Sequence, residues 1–313
     1  MTILRCGDFP APFADHEAAS MAAGNGDTIR AVTAKTYAGQ TIDVSALTGI
    51  TVDDVVDGRY TIGLDTTAVY AMNLGDGFSM VGGTIKAAAN RAIYVDAVGA
   101  YMDVDFYVEA GGAASMVWLA NAGVLTMPRC RVRGDTHSTP EIFVTFTDSE
   151  VHLGDVCVDP NITLTLGMVY VYNGTSASIT LNACGSPSGN LIRVRAGATI
   201  TNLDIYGSYA PHLVDDDGTI TAYAGDYNAY STTDAGTENA TFQDGGIADF
   251  QLDDRGYPLP TSPLFRAIHA GVQYGAGLDA DGNPRQADGR QDIGPLQTQH
   301  DPRWDAILAG VYS

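Results

Sequence analysis

Short bursts of alternating apolar and polar residues recur along the chain from about residue 78 onward. A first series has matching positions at residues 102, 125, 151, 179 and 200, and a second series begins at residues 93, 116, 142, 169, 192 and 220. The steps within both series are 21–28 residues. Strict alternation over stretches this short predicts half-buried β-strands. Hairpin strands would instead show turns about every 8–12 residues and no long-range self-similarity.

Two of these bursts match closely when they are overlaid with an offset of 26 residues. They are "LTMPRCRVR" (125–133) and "VHLGDVCVD" (151–159). The overlay aligns Leu125 with Val151, Met127 with Leu153, Val132 with Val158, Arg129 with Asp155 and Arg133 with Asp159. The match therefore predicts equivalent strands of successive coils, with apolar residues facing inward and charged residues facing outward.

The shared period predicts an all-β fold, a right-handed parallel β-helix (solenoid) in which each period is one coil. Equivalent strands of successive coils would stack in parallel about 4.8 Å apart. Asn, Asp and Gly suit the sharp corners between strands, and we expect corners at residues 119–123, 171–175 and 201–204. The fixed Leu and Asn spacing of leucine-rich repeats is missing, and a propeller blade would need about 40 residues.

Both ends of the chain carry further motifs. Residues 15–32, "DHEAASMAAGNGDTIRAV", predict a short helix, a tight turn and a strand. Near the other end, a Ser-Pro and a glycine precede an Asp-Gly-x-x-Arg stretch and an Asp-Ile-Gly: Ser262-Pro263, Gly271, Asp281 to Arg285, and Asp292-Ile293-Gly294. Together these motifs resemble the right-handed parallel β-helix superfamily with the pectin-lyase-like fold, including phage-encoded structural proteins.

This resemblance implies a single β-helix domain over residues 1–313. We expect a short N-terminal helical cap in residues 1–30, coils in residues 31–245 and a loop and helix C-terminal capping segment in residues 246–313. The final stretch 301–313 predicts a short amphipathic helix. That helix would cover the last coil or, alternatively, dock another subunit.

Composition then narrows the range of partners. The chain is 45% hydrophobic and 17% charged, which is enough to bury a large core. The formal net charge of −21 argues against nucleic acid and anionic membrane surfaces as partners. We find no signal peptide and no apolar stretch of 18 residues. The acidity favours a solubility role, with cation binding as the alternative.

The four cysteines do not show zinc-binding spacing. They are Cys6, Cys130, Cys157 and Cys184. The overlay places Cys130 inward and Cys157 outward, so we expect reduced thiols rather than a disulfide between them.

The overlaid strands also carry the best candidate chemistry. Arg129, Arg131 and Arg133 would share an outward face, with Asp155 and Asp159 from the next coil and Asp105 from the previous one. We interpret this face as a charge ladder between coils. The alternative is a glycan-cleaving site, for which the candidate catalytic residues are Arg129, Arg133, Asp155 and Asp159.

Two further groups of residues leave alternatives open. "DADGN" (279–283) resembles a calcium loop without the closing glutamate of an EF-hand. Its candidate ligands are Asp279, Asp281, Asn283 and Asp292, which serve equally as turn formers. We expect no other cofactor. Tyr223, Tyr227 and Tyr230 would suit either sugar stacking or packing.

Three function classes fit this sequence. The first is a phage virion component, such as a tail fibre, spike or capsid-surface protein, assembled in the host cytoplasm without a signal peptide. Its partners would be two further copies in a homotrimer, other virion proteins and host-surface polysaccharide. The second is a polysaccharide lyase or hydrolase, which needs the four candidate catalytic residues or the corner at Asp215–Asp217 in an open groove. A secreted adhesin-like scaffold ranks last because the Thr residues are dispersed.

Overall fold

The computed structural model describes an all-β chain with about 2% helix. It describes residues 1–56, 60–87, 92–109, 115–120, 122–135, 137–230, 250–265, 267–268, 278–285 and 291–297. Parallel strands stack into a β-solenoid of about nine coils, consistent with a right-handed β-helix. Within these ranges, the structure has no helix that is long and apolar enough to cross a membrane.

The elements are short, as the alternation predicts. The helix is α1 (His16–Met21), and the strands are β1 (Ile3–Cys6), β2 (Thr28–Ala31), β3 (Thr36–Gln40), β4 (Ile42–Asp43), β5 (Thr51–Asp54), β6 (Thr61–Leu64), β7 (Met72–Leu74), β8 (Ser79–Ala87), β9 (Ile93–Val95), β10 (Ala100–Val108), β11 (Val117–Leu119), β12 (Val124–Met127), β13 (Cys130–Gly134), β14 (His137–Thr145), β15 (Glu150–Gly154), β16 (Val156–Val158), β17 (Ile162–Val171), β18 (Thr175–Asn182), β19 (Asn190–Val194), β20 (Thr199–Tyr206), β21 (Tyr209–Ala210), β22 (His212–Asp216), β23 (Thr219–Asp226) and β24 (Ala229–Tyr230).

Each central coil has three strands on three faces. The first face is a continuous parallel sheet in the order β1-β2-β5-β8-β10-β12-β15-β18-β20-β23. The second face runs from β3 through β6 and the C-terminal halves of β8 and β10 to β13 and β16. It continues through Gly185, which bridges Cys157 to Tyr209, to the pair of β21 and β24. The third face has the order β22-β19-β17-β14-β11-β9-β7-β4. Because equivalent strands pair in parallel, every inward side chain lies on its counterpart from the next coil.

The predicted overlay of residues 125–133 on 151–159 is confirmed by the strand register. Strand β12 pairs with β15 so that Leu125 faces Val151 and Met127 faces Leu153. Strand β13 pairs with β16 so that Val132 faces Val158. All six of these apolar side chains are buried in one continuous core.

The corners before the first face have a feature that the sequence analysis missed. Eight residues there adopt positive φ at intervals of one coil: Gly26, Gly49, Gly77, Gly99, Ala122, Asp148, Gly174 and Gly197. Several donate their backbone N–H to the next coil, for example Gly26 to Thr48 O at 2.8 Å. Glycine dominates because it adopts positive φ at low cost. The expected corner at residues 201–204 is wrong, since these residues lie inside β20.

The second predicted strand series needs two corrections. Its members at residues 116 and 142 are one position early, because Ile93 pairs with Val117 and Val117 with Phe143. Residues 220–225 lie in β23 on the first face, where Ile220 pairs with Ile200. Their expected place on the third face is occupied by β22, which includes Asp215. The acidic residues of β22 resembled a solvated corner, but Arg193 of β19 lies beside Asp215 at 3.5 Å.

The four cysteines are free thiols and all are buried. The reduced state is as expected. Cys157 pairs with outward Arg131, yet its exposure is 0% because Ala280, Leu296 and Tyr257 pack over it.

The residues that cover Cys157 belong to the C-terminal segment, which we define as the described residues between 250 and 297. This segment lies along the second face of several coils. Gly294 N–H donates to Gly207 O at 2.7 Å, and Arg131 donates to the backbone oxygen of Arg255. The predicted helix at 301–313 lies outside the described residues.

At the other end, helix α1 contacts the first four strands. Asp15 caps it, with a carboxylate oxygen that accepts from Ala18 N–H at 2.8 Å. The parallel stack already begins within residues 1–30, because β1 pairs with β2.

Candidate functional site

The candidate site lies on the second face, where three arginines alternate with core residues. Cys130 and Val132 of β13 have 0% exposure and point into the solenoid. Arg129, Arg131 and Arg133 therefore point outward, because successive side chains of a strand lie on opposite faces. The side chains of Arg129 and Arg133 are 30% and 50% exposed, but that of Arg131 is only 4% exposed.

The partners of these arginines differ from the expected ones. Arg129 reaches back to the previous coil, with its Nε 3.0 Å from Asp103 Oδ1. Arg131, rather than Arg133, contacts Asp159, with Nε 2.8 Å from Oδ1. Arg131 thus leans toward a carboxylate that is diagonal to it in the register, whereas Arg129 pairs with the aspartate at its own register position in the neighbouring coil.

Arg133 also leans toward the previous coil, where its Nη2 lies 3.8 Å from Asp105 Oδ2. Burial raises the pKa of Asp105, and the Arg131 backbone N–H and the charges of Arg133 and Arg129 oppose this shift.

Asp155 is not on the open surface where the overlay predicted it. Its exposure is 0%, its φ is 46°, and its carboxylate forms an ion pair with Arg285 of the C-terminal segment. The Arg285 side chain is 1% exposed, and this burial lowers the pKa of the guanidinium to about 10. Arg285 is therefore still a cation at neutral pH. Asp155 is a buried structural partner that a glycan could not reach in this conformation.

Asp281 of the C-terminal segment is the centre of the charged site. Its carboxylate accepts from Arg131 Nη1 at 2.6 Å and from the Tyr257 hydroxyl at 2.6 Å. Arg133 and Arg255 approach the same carboxylate at 3.3 and 3.2 Å. Burial raises the pKa of Asp281, but the hydrogen bonds and charges of these neighbours outweigh it, so the pKa lies below its usual value.

We call Arg129, Arg131, Arg133, Asp103, Asp105, Asp159, Arg255 and Asp281 the Arg–Asp cluster. It combines four arginines with four aspartates, drawn from three coils and the C-terminal segment. The charges therefore nearly compensate each other within the protein. Such an arrangement fits the predicted charge ladder between coils, extended by the C-terminal segment.

Asp281 is held in place by two similar turns. Residues 252–258 and 278–284 both follow the pattern Leu-Asp-x-x-Gly-x-Pro, and each turn closes with a bridge from its leucine to its proline. Asp253 Oδ1 accepts from the backbone N–H of Arg255 and Tyr257, and Asp279 Oδ1 accepts from those of Asp281 and Asn283. This repeat is visible in the sequence and could have predicted two matching turns.

The hydrogen bonds of the turn also bear on the calcium prediction. Asp279 Oδ2 accepts from Gln297 N–H at 3.1 Å and from Asn283 Nδ2 at 3.2 Å, while Asp281 faces arginines. Asp292 is 2% exposed and its backbone N–H donates to Gln297 Oε1. Among the described residues, no three His, Cys, Asp or Glu side chains are grouped as metal ligands. Calcium binding stays a prediction. The turn-forming role accounts for the contacts of Asp279 within residues 278–284, and the bond from Gln297 joins the turn to residues 291–297.

A small cavity of about 140 Å³ lies beside the Arg–Asp cluster. It is lined by Gly82, Gly83, Asp103, Val104, Asp105, Arg129, Arg133, Ala280 and Asp281. It could hold a few water molecules or one small polar group. The four predicted catalytic residues do not line it together, because only Arg129 and Arg133 reach it.

The remaining predicted positions have structural contacts. Tyr230 is buried in the main core, Tyr223 packs against that core, and Tyr227 packs against a smaller cluster around Tyr209. Asp215 and Asp217 both lie near Arg193, at 3.5 and 3.6 Å.

These features define the class of protein: an all-β parallel β-solenoid with a charged lateral face that its own C-terminal segment covers. The chain matches no protein-family model, no curated protein and no solved structure.

Proposed function

We propose that the protein is a non-enzymatic β-helix structural component of a phage particle that also binds surface glycans. The solenoid supports a structural role, because parallel stacking makes a stiff body with long lateral faces. The observation that carries the proposal is the insertion of Asp281 and Arg285 into the second face. They neutralise Arg131 and Asp155, which leaves these two residues no free charge for a substrate.

The proposal can be tested with purified protein and purified particles. Incubation with bacterial surface polysaccharides should produce no new reducing ends and no absorbance from unsaturated uronates, even at high protein concentration. Mass spectrometry of gradient-purified particles should detect the chain at a fixed ratio to the major capsid protein. Cleavage of any polysaccharide at a catalytic rate, or loss of the chain from the particles, would contradict the proposal.

A polysaccharide lyase or hydrolase is the second candidate, and the cavity beside the Arg–Asp cluster favours it. Asp105 lines that cavity with a raised pKa, as a general acid requires, and Arg129 and Arg133 could bind a substrate carboxylate. For this function, Asp105→Asn should abolish cleavage while Asp96→Asn, an exposed change on the third face, leaves it intact. Equal cleavage by both variants would exclude the cavity as the active site.

Assembly into a homotrimer is part of the proposal for the virion role. Light scattering of the purified chain should give about three times the 32.8 kDa mass of one chain. A monomer at micromolar concentration would contradict this oligomeric state but not the β-helix fold.

A further inference from the structure

The third face carries a row of aromatic side chains that the charged site does not involve. Trp118 of β11 points outward and pairs in register with Tyr94 of β9. In the next two coils, Val144 and then Tyr170 occupy the register position of Trp118. Phe146 and Tyr172 lie two residues after these positions and are the next outward side chains. Tyr70 precedes β7 in the coil before. We call Tyr70, Tyr94, Trp118, Phe146 and Tyr172 the aromatic ladder.

The rings of the aromatic ladder form a chain of contacts, in which Tyr70 rather than Tyr94 approaches Trp118, with ring centroids 6.4 Å apart. The ring centroids of Tyr70 and Tyr94 are 4.5 Å apart, those of Trp118 and Phe146 are 5.1 Å apart, and those of Phe146 and Tyr172 are 5.5 Å apart. The interplanar angles of these pairs are 39°, 43° and 51°. The row ends at Arg195, whose guanidinium lies over the Tyr172 ring at 4.6 Å. Because each coil adds about 4.8 Å, the row runs along the solenoid axis.

The rings of the ladder enclose a cleft instead of filling the core. The inward residues of the same strands, such as Ile93, Val117 and Val169, have 0% exposure. The ladder residues are only partly buried, and Tyr172 is 37% exposed. Tyr70, Tyr94, Trp118, Ala120 and Phe146 line a cleft of about 270 Å³. Exposed aromatic surface of this kind commonly marks a binding site.

We propose that the aromatic ladder binds an uncharged glycan chain laid along the solenoid axis. A pyranose ring has an apolar C–H face that stacks on Tyr or Trp, and its hydroxyl groups at the edge bind polar groups. The cleft is below the 300–1,000 Å³ range of drug-sized pockets and therefore suits a unit the size of one sugar ring. This inference rests on the glycan-binding part of the proposed function and adds the site and the class of ligand.

Charge selects this occupant over others. A formal net charge of −21 repels anionic polysaccharides. The polar groups at the rim are of both signs, with Arg195 exposed near Tyr172 and Asp96 exposed beyond Tyr94. Such a mixed rim can donate to and accept from hydroxyl groups without preferring an anion.

Trp118 provides the probe for the experiment, because it lines the cleft. The purified chain would be titrated with oligosaccharides of neutral glucans, such as dextran and β-glucan fragments, and with polygalacturonate as the charged comparison. Binding would be followed by tryptophan fluorescence and calorimetry. We expect neutral oligosaccharides to bind, to shift the fluorescence and to bind more tightly as their length increases.

Matched variants then locate the site. Trp118→Ala and Tyr94→Ala should weaken binding by about tenfold or more, and Tyr172→Ala by less, because it lies at the end of the row. Tyr101→Ala is the control. Tyr101 is 38% exposed, which is similar to the 37% exposure of Tyr172, but it lies on the first face. Circular dichroism and thermal unfolding of each variant show whether it is folded.

Each outcome decides a different point. Unchanged affinity in folded Trp118→Ala and Tyr94→Ala variants would overturn the ladder as the site, while glycan binding and the proposed function stand. If only polygalacturonate binds, or if no oligosaccharide binds, the proposal that the ligand is an uncharged glycan is wrong. A lower molar mass of these variants would assign the face to a second copy of the chain. Cleavage of a bound glycan would contradict the proposed function but not the ladder.

Discussion

Arg285 and Asp155 form the most buried charge pair described on the second face. Their side chains are 1% and 0% exposed. Burial of two ions costs free energy, and removal of only one partner leaves an uncompensated charge inside the protein. Removal of one partner should therefore lower the free energy of unfolding by more than the intact pair contributes to it.

Arg285→Met should lower the free energy of unfolding by about 3–5 kcal/mol. Asp155→Asn should have a similar effect, and Asn tolerates the positive φ at this position. The double variant should be less destabilised than the sum of the two. Urea unfolding measures all three, with Arg129→Met as the control, because that side chain is 30% exposed and should cost below about 1 kcal/mol. If the single variants lose no more unfolding free energy than Arg129→Met, Arg285 and Asp155 do not form a buried ion pair.

His16 is a second buried group with a specific consequence, in this case for pH. It has 0% exposure, and neither ring nitrogen has a hydrogen-bond partner. Its ring centroid lies 4.7 Å from that of Tyr37 and 5.3 Å from that of Tyr60. Burial lowers the pKa of His16 to about 4, and the charge of Asp15 opposes this shift. The unfolded chain therefore binds a proton at higher pH than the folded chain does.

Stability from the neutral His16 should be fully present above pH 6.5 and should fall as the pH is lowered toward 4. The total loss is on the order of 3 kcal/mol. His16→Phe should flatten this part of the profile of unfolding free energy against pH. His152→Phe, a change at a histidine whose side chain is about one-third exposed, is the matched control. Identical profiles for the wild type and His16→Phe would show that other groups cause the acid sensitivity.

At the residue scale, the sequence predicts which positions face inward but not which charges pair. Alternation places Leu125, Val132 and Val158 correctly because a pleated strand leaves only two directions. Arg131 and Asp159 pair instead of Arg133 and Asp159 because long side chains span diagonal positions. No local pattern links Asp155 to Arg285, which comes from a different part of the chain.

At the scale of elements, the two Leu-Asp-x-x-Gly-x-Pro turns explain how the C-terminal segment reaches the charged face. Gly256 and Gly282 have φ values of 87° and 82°, which favour glycine at the same point of each turn. The turns contact each other through Asn283 Nδ2, which donates to the Tyr257 hydroxyl at 3.2 Å. The pair thus positions Asp281 among the arginines.

Asp281→Asn should loosen the C-terminal segment without unfolding the solenoid. Loss of the negative charge weakens the contacts to Arg131, Arg133 and Arg255, while the backbone N–H of residue 281 still donates to Asp279. Cys157 lies directly under the segment, so its alkylation rate reports the opening. We expect about a tenfold faster modification of Cys157, measured by mass spectrometry of each cysteine.

The control for this experiment is Asp254→Asn, an exposed change in the other turn. Cys130 lies inside the solenoid and provides an internal reference, since its modification requires the coils to open. Equal acceleration at Cys130 and Cys157 would mean that the whole fold loosens, which would contradict a local role of Asp281.

Corners and strand ends were the hardest elements to predict. The glycines at 26, 49, 77 and 99 repeat with the coil and could have located the corners before the first face. Ala122 and Asp148 occupy equivalent positions with no such signature. Strand β22 was missed because its Asp215 suggests a solvated loop. In the structure, Arg193 and the Asn190 side-chain amide, which donates to Asp215 Oδ2 at 2.9 Å, make this acidic strand end favourable.

For the whole molecule, the solenoid is a one-dimensional stack in which each coil contacts only its neighbours. Leu153 lies in a middle coil, is 1% exposed and belongs to a strand that pairs on both sides. Ile220 lies in the last described strand of the first face, which pairs only with β20 among the described strands. Ile220 is also only partly buried, so burial and position in the stack should together set the cost of each deletion.

Leu153→Ala should lower the free energy of unfolding by about 2–5 kcal/mol, and Ile220→Ala by less. Urea unfolding would measure the difference. Hydrogen exchange should in addition show the slowest amides in β12, β15 and β18 and faster ones in β23. Equal costs at the two positions would indicate that the chain unfolds as one unit, regardless of position.

The contacts of the C-terminal segment imply an order of folding steps during synthesis of the chain. A ribosome releases the coils before residues 250–297. Arg131, Asp155 and Gly207 must already be stacked when Asp281, Arg285 and Gly294 arrive. A slip of one residue in β13, for example, would turn Arg131 to the opposite side. Docking of the C-terminal segment therefore follows formation of the coils, and only a correctly registered solenoid allows it.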